Sequence, residues 1–180
     1  MKFDDLFDAN GIFLYTEHYI LRRIQPEEKK EYEALAQAEI PEFLQPISNG
    51  VVWDELLSED HLTCSILQKD TGAFCGFCQL QWVFSDIQEL GIDLLPTYQK
   101  SGVAVEILPS FLSHAKALLQ CNHFYSKIKK NNIPSRKLAE KIGGICVSTK
   151  NLLPADFPET LKTIAEKEFP DFFYLEYEFH

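Results

Sequence analysis

The sequence predicts an α/β (α+β) fold, a mixed and mostly antiparallel twisted sheet with helices on both faces. The chain has 180 residues, enough for one domain with a packed core. Apolar residues make up 46% of it, which argues against disorder. Short strands follow one another early, and strands alternate with helices later. We therefore expect a single domain over residues 1–180, with no internal repeat and no linker.

The first half of the chain is predicted to form two hairpins and two helices. Pro26 suits the first turn of a helix, and the turn Lys69–Gly72 joins two strands. The first helix should stop before Pro41. The predicted strands are 12–15, 19–24, 62–68 and 73–84, and the predicted helices begin at Pro26 and Val51.

The second half is predicted around a strand, a short loop and a helix. Pro96 ends a strand that begins at Ile87, because proline has no N–H for a β ladder. Apolar residues recur at helical spacing from Ala104 to Leu119, and Pro109 within that helix should kink it. The other predicted strands are 123–129, 145–149 and 171–179, and the other predicted helices are 135–141 and 158–168.

The loop from Thr97 to Gly102 is the first candidate binding site. A helix that follows a glycine-bearing loop presents free backbone N–H groups and the positive end of its dipole, which suit a phosphate or diphosphate. Gly102 lets the backbone approach such an anion, and Lys100 adds a positive charge at the rim. The pattern alone is equally typical of a loop that binds nothing.

Charge and composition exclude several function classes. The formal net charge is −10, which argues against general nucleic-acid binding and is compatible with a cationic substrate. The start of the chain lacks a basic, then apolar, signal sequence, and no apolar run is long enough to cross a bilayer. Five cysteines, an odd number, fit reduced thiols. We expect a cytoplasmic protein that binds no membrane.

Two ordered motifs resemble the GNAT superfamily of acetyl-CoA-dependent N-acetyltransferases. The stretch from Gln99 to Ala104 matches the Gln/Arg-x-x-Gly-x-Gly/Ala signature of that family. The stretch from Asn132 to Gly143 matches its Asn-x-x-Ser-x-x-Leu-x-Glu-Lys-x-Gly segment. Glu89-Leu-Gly-Ile is similar to the corresponding strand in the branch that acetylates ribosomal-protein N-termini. The resemblance covers nearly the whole chain.

The resemblance implies a GNAT-like fold with a splayed central strand pair and an acetyl-CoA site. Backbone amides of the loop would hold the diphosphate, and the backbone of the preceding strand would bind the pantetheine arm. Asn132 would also bond to the arm, and Ser135 would start a helix beside the cofactor, although the same residues fit a loop amide and a helix N-cap. The implied cofactor residues are Ile92, Leu94, Leu95, Gln99, Lys100, Ser101, Gly102, Val103, Ala104, Asn132 and Ser135.

The implied chemistry is direct attack of a primary amine on the thioester in a ternary complex. A backbone N–H near Leu94 or Leu95 would stabilise the oxyanion. An alkyl amine has a pKa of about 10.4, so a base or a water chain must accept a proton. Glu89 is the candidate base, although a structural glutamate fits equally, and Asp93 is the weaker alternative. Many members of the family have a tyrosine as general acid where this chain has Ala139. Tyr125 or water would replace it, or no acid is needed because a thiolate is a good leaving group.

Three functions remain open from the sequence. One is an acetyltransferase acting on a small-molecule or peptide amine, and the second is a non-catalytic acyl-CoA-binding module of the same fold. The third is a redox or zinc protein built on Cys75 and Cys78, although these thiols diverge on a strand and nothing completes a metal site. We expect no metal and no nucleic-acid partner. A homodimer is possible, with the closing strand 171–179 pairing across it.

Overall fold

The structure is a computed structural model that describes residues 2–37 and 51–180. Contacts divide the chain into two compact units, residues 1–121 and 122–180. The predicted end of the first helix before Pro41 lies outside the described residues. The single-domain organisation stays a prediction, and each unit is described by itself.

In the part of the first unit that the structure describes, there are five antiparallel strands, each hydrogen-bonded to the next in chain order. Short turns connect β1 to β2 and β3 to β4, whereas the connection from β2 to β3 contains helices. The predicted hairpins are confirmed in type and position. The strands are β1 Ile12–Tyr15, β2 Tyr19–Arg23, β3 His61–Gln68, β4 Phe74–Gln81 and β5 Gln88–Leu94.

The sheet of the first unit has one apolar and one polar face over β3, β4 and β5. Leu62, Leu80 and Leu90 lie opposite one another in register and are buried. Residues directly opposite in an antiparallel ladder share a face, so the alternate residues form the other face. That second face carries Thr63, Gln79 and Gly91 in one row. The candidate base Glu89 belongs to the same face.

The described residues of the first unit form three helices: α1 Lys29–Gln37, α2 Val51–Leu56 and α3 Val103–Leu119. A 3₁₀ turn, Pro26–Glu28, leads into α1. Tyr32 of α1 stacks on Phe77 of β4 with ring centroids 4.7 Å apart, and Trp53 of α2 joins this buried cluster. Helix α3 buries a stripe that includes Ile107 and Phe111 and continues through Pro109.

The second unit contains three antiparallel strands and two helices. Strand β8 lies between β6 and β7, and hydrogen-bonds to both. The closing strand is therefore an inner strand, so the predicted pairing of this strand across a dimer is wrong. The edge strand next to β8 is β7. The elements are β6 Phe124–Lys129, α4 Ile133–Lys141, β7 Ile145–Asn151, α5 Glu159–Glu168 and β8 Phe173–Phe179.

Several predicted element boundaries are corrected. Strand β7 ends at Asn151 rather than Thr149, and β8 begins at Phe173 rather than Asp171, because Pro170–Phe172 is a 3₁₀ turn. Strand β4 ends at Gln81 rather than Phe84, because Trp82 adopts a left-handed φ of 54° that breaks the ladder. Helix α4 begins at Ile133 rather than Ser135, since the Asn132 side chain accepts the Ser135 N–H at 3.2 Å and caps the helix. The eight strands and five helices of the described residues confirm the predicted mixed α/β class.

A membrane-spanning helix is absent from the described part of the chain. None of its helices combines the length and the apolar character that crossing a bilayer requires.

Candidate active site

The loop between β5 and α3 has the backbone geometry of an anion-binding loop. Lys100 and Gly102 both have positive φ, 59° and 95°, and Gly102 is the N-cap of α3. Gly102 has no side chain with which to cap this helix end. The first N–H groups of a helix have no intrahelical acceptor, so those of α3 can bind a ligand.

Space beside Gly102 is open. A Cβ built on Gly102 would meet no atom within 4 Å among the described residues. Gln99, Lys100, Ser101 and Gly102 are all exposed, whereas Val103 and Ala104 are buried under the first turn. The Ser101 hydroxyl donates to the Tyr98 carbonyl at 2.6 Å and fixes the loop from within. These residues fit a diphosphate, which needs several N–H donors and an uncrowded approach.

The ladder between β4 and β5 decides which backbone groups of β5 face away from β4. The Leu95 N–H donates to the Cys75 carbonyl at 2.9 Å, so this group is used within the unit. Because hydrogen-bonded residues alternate in an antiparallel pair, Leu94 and Ile92 direct their N–H and C=O groups to the other edge. Of the two predicted oxyanion donors, Leu94 is thus the one whose N–H faces away from β4.

Gln99 connects the loop to the end of β5. Its Nε2 atom donates to the Leu94 carbonyl at 3.0 Å. This bond holds the start of the loop against the residue whose N–H faces away from β4. The first residue of the predicted cofactor signature therefore also has a structural role, which its motif position did not indicate.

Glu106, in the first turns of α3, binds the turn between β1 and β2. Its Oε1 atom accepts the Thr16 hydroxyl at 2.6 Å and the His18 backbone N–H at 2.8 Å. Its Oε2 atom lies 2.8 Å from Nδ1 of His18. We call this group the Glu106 clasp: Thr16, His18 and Glu106. It joins the hairpin to the helix whose N-terminus forms the candidate anion site.

Hydrogen bonds shift the pKa values of both ionisable groups of the Glu106 clasp. The hydrogen bond with Glu106, and then its negative charge, raise the pKa of His18. Burial alone would raise the pKa of Glu106, but the bonds from Thr16 and His18 outweigh it and lower that pKa. The ion pair is therefore complete between the lowered pKa of Glu106 and the raised pKa of His18.

We expect Glu106→Gln to lower the pKa of His18 toward the ordinary value of about 6.5. The charged imidazolium loses its carboxylate partner, so its raised pKa is no longer supported. In the wild type, the contribution of His18 to stability is present below about pH 6.5 and is lost as the pH rises through its raised folded pKa. An NMR titration of the imidazole measures this shift.

Unchanged amide shifts in β3 would show that the Glu106→Gln variant is folded. A His18 titration curve identical in the variant and the wild type would contradict the clasp. Thr16→Val is the matched comparison, because it removes a neutral hydrogen bond from Glu106 and keeps the charge. It should therefore change the His18 pKa less than Glu106→Gln does.

The candidate bases lie on the polar face of the sheet. Glu89 is opposite Gln81, and Asp93 is opposite Phe77, with Gly91 between them along β5. Both side chains are partly buried and have interaction partners. Glu89, Gly91 and Asp93 share one face, as the alternation of the strand predicted. Their catalytic roles stay predictions.

The second unit holds the remaining predicted site residues. Tyr125 lies on β6 opposite Glu178, with Nζ of Lys127 5.3 Å from its ring centroid. Asn132 and Ser135 form the N-cap of α4 by the bond described above. Ala139 is buried in α4, and its carbonyl accepts the Gly144 N–H at 2.8 Å. Asn132 followed by Pro134 is itself an N-cap signal, so the sequence could have identified this helix start.

The two cysteines of the competing motif are core residues. Cys75 and Cys78 are both fully buried, and burial raises the pKa of each thiol. Cys78 lies opposite Cys64, which is also buried, on the apolar face. Within residues 2–37 and 51–180, no group of three or more His, Cys, Asp or Glu side chains could hold a metal ion. Buried, protonated thiols are poor nucleophiles and poor ligands.

The family model for the acetyltransferase (GNAT) domain matches residues 4–145 of this sequence. This chain belongs to the GNAT acetyltransferase family. A search of curated protein sequences found no match. The match covers most of the chain and includes both the anion loop and the Asn132 segment. Acetyl-CoA is the acyl donor of the family.

Solved structures with the same fold include three bacterial acetyltransferase proteins. A GNAT-family acetyltransferase from Bacillus anthracis has a TM-score of 0.69 at 15% identity, covering 92% of this chain and 96% of that one. RimJ from Mycobacterium smegmatis, solved in complex with CoA-disulfide, has a TM-score of 0.67 at 15% identity, covering 89% of this chain and 81% of that one. A Vibrio cholerae protein, provisionally described as a ribosomal-protein-serine acetyltransferase, has a TM-score of 0.65 at 15% identity, covering 92% of this chain and 95% of that one. At these identities the likeness shows the GNAT fold alone.

Proposed function

We propose that this protein transfers the acetyl group of acetyl-CoA to a primary amine of a small molecule or a peptide, by direct attack in a ternary complex. The observation that carries the proposal is the uncapped N-terminus of α3, reached through a loop with left-handed Lys100 and Gly102. Family membership supplies the donor, and the loop supplies the N–H groups that a diphosphate needs.

Each step of the reaction has a candidate group in the chain. Backbone N–H groups from Lys100 to Ala104 hold the diphosphate, and Ile92 and Leu94 bind the pantetheine arm. Acetyl-CoA supplies a thioester whose carbonyl carbon accepts the amine. The Leu94 N–H stabilises the charge that develops on the carbonyl oxygen, since the Leu95 N–H already donates to Cys75. Glu89 accepts the amine proton through water.

A non-catalytic acyl-CoA-binding module is the second candidate function. The observation that favours it is Ala139, which is buried where the family resemblance places a tyrosine acid. In the catalytic proposal, Tyr125 or water protonates the departing thiolate. A thiolate is a good leaving group, so this step needs the least help from the protein.

Two measurements on the purified full chain separate these functions. Calorimetry measures binding of acetyl-CoA, and a thiol-reactive dye measures release of free CoA with a panel of amines. If the protein is a transferase, we expect it to bind acetyl-CoA and to release free CoA only when an acceptor amine is present. Binding without release from any amine supports the module. Absence of binding at millimolar acetyl-CoA contradicts both.

The same proposal includes a cellular location and a charge for the acceptor. A cytoplasmic location would supply acetyl-CoA and keep the five cysteines reduced. The net charge of −10 favours a cationic amine as acceptor.

A further inference from the structure

A row of three residues crosses the polar face of the sheet beside the candidate base. Thr63 of β3 lies opposite Gln79 of β4, and Gln79 lies opposite Gly91 of β5. We call these three residues the Gln79 row. A Cβ added at Gly91 would lie 3.3 Å from Cγ and 3.4 Å from Nε2 of Gln79. The amide of Gln79 therefore lies directly over Gly91, between Glu89 and Asp93 along the strand.

The Gln79 row contains buried hydrogen-bonding atoms without partners. Oε1 of Gln79 and Oγ1 of Thr63 are buried, and neither has a hydrogen-bond partner among the residues that the structure describes. Thr63 is only 2% exposed. A buried polar atom without a partner costs about 1–3 kcal/mol, so such atoms are rare in folded proteins unless a bound water or a ligand satisfies them.

The neighbouring row toward α1 shows the usual, satisfied arrangement. The Ser65 hydroxyl donates to Oε2 of Glu28 at 2.6 Å and lies 2.8 Å from the Tyr32 hydroxyl. Arg22 completes that network with a 3.0 Å bond to Glu28. Among the described residues, the same face is thus bonded at this end, and buried atoms without partners begin one row further on, at Thr63 and Gln79, and continue to Nδ1 of His61 in the row beyond.

The row toward the other end opens to solvent. His61, Gln81 and Glu89 lie opposite one another there, and Gln81 and Glu89 are only partly buried. The Trp82 ring, 6.3 Å from the ring of His61 and 45% exposed, borders this end. The Gln79 row is the next row on this face after the row that contains Glu89.

We propose that the Gln79 row recognises the acceptor amine by a second hydrogen-bond donor near the reacting nitrogen. This inference rests on the proposed transferase function. The amide oxygen of Gln79 can only accept a hydrogen bond, and the Thr63 hydroxyl can accept one. The missing partner therefore carries N–H or O–H groups. The acceptor class is an amine with an adjacent amide, amine or hydroxyl donor.

Glycinamide and n-propylamine form a matched pair of probes for this inference. They have similar length and one primary amine each, and only glycinamide carries a second N–H donor. We compare the ratio of their kcat/KM values in the wild type, Gln79→Met and Thr63→Val. Taking the ratio within each protein allows for the different basicity of the two amines, which is the same for every variant.

We expect Gln79→Met to reduce the preference for glycinamide about tenfold, as the loss of one hydrogen bond does. Thr63→Val should reduce it in the same direction. Neither variant should lower the melting temperature of the free protein, because Oε1 of Gln79 and Oγ1 of Thr63 have no hydrogen bond to lose among the described residues. A purely structural role predicts the opposite pattern, a lower melting temperature and an unchanged preference.

Gln88→Met is the control. Gln88 is also a buried glutamine with an unpaired Oε1, but it belongs to the opposite face of β5, and its Nε2 donates to the Val83 carbonyl at 2.9 Å. This variant should lose stability and keep the preference. An unchanged preference in Gln79→Met, or no turnover of glycinamide by protein that binds acetyl-CoA, would overturn the inference. Failure to bind acetyl-CoA would instead overturn the proposed function.

Discussion

Glu89→Gln should lower kcat by about 10²- to 10⁴-fold, the usual contribution of a general base. The amide keeps the size of the side chain and its place opposite Gln81 but cannot accept the amine proton. Steady-state kinetics with a saturating acceptor measure the loss. Binding of acetyl-CoA should stay unchanged, because the groups that would hold the diphosphate, Lys100 to Ala104, follow the end of β5, whereas Glu89 lies near its start.

Asp93→Asn is the matched control for Glu89→Gln. Asp93 lies on the same face of the same strand, with Gly91 between the two carboxylates. The account predicts a much smaller loss of kcat for Asp93→Asn. The reverse order would assign the base to Asp93, and full activity in both variants would exclude a carboxylate base on β5.

Gly76→Ala should destabilise the first unit by at least ~3 kcal/mol, among the largest effects of a single substitution. The new Cβ would lie 2.1 Å from the Asp93 carbonyl oxygen and 2.8 Å from the Leu94 Cα, both backbone atoms that cannot move aside. The φ of 150° also strains any other residue. Thermal or denaturant unfolding, followed by circular dichroism, measures the loss.

Gly72→Ala separates backbone strain from the clash at Gly76. Gly72 also has a positive φ, 68°, but a Cβ there would meet no described atom within 4 Å. Its replacement should cost only about 1 kcal/mol, the strain of the left-handed conformation. Equal losses in the two variants would show that contact between β4 and the end of β5 is not what requires Gly76.

Local signals in the sequence were sufficient to predict the strand, the loop and the helix around Gly102. Pro96 ends the strand, Gly102 provides the left-handed N-cap, and helical spacing begins at Val103 and Ala104. Each of these signals acts within a few residues, so it can be recognised without the fold. The end of β4 at Trp82 carries no glycine or proline, and the sequence prediction therefore extended the strand too far.

Features that depend on distant residues could not be predicted from the sequence. The Glu106 clasp joins residues 88 and 90 positions apart, and neither Thr16 nor His18 lies in a recognisable motif. The Gln79 row exists only in the register of three strands, and a shift of one residue would place Gln79 on the apolar face. The inner position of β8 likewise follows from strand order, which chain order does not determine.

A crystal structure of the protein soaked with acetyl-CoA would test the binding of the diphosphate by the loop most directly. The account predicts diphosphate oxygens within hydrogen-bonding distance of the backbone N–H groups of Gly102, Val103 and Ala104, with the thioester beside Leu94. A diphosphate bound elsewhere on the chain, or no complex at millimolar ligand, would contradict it.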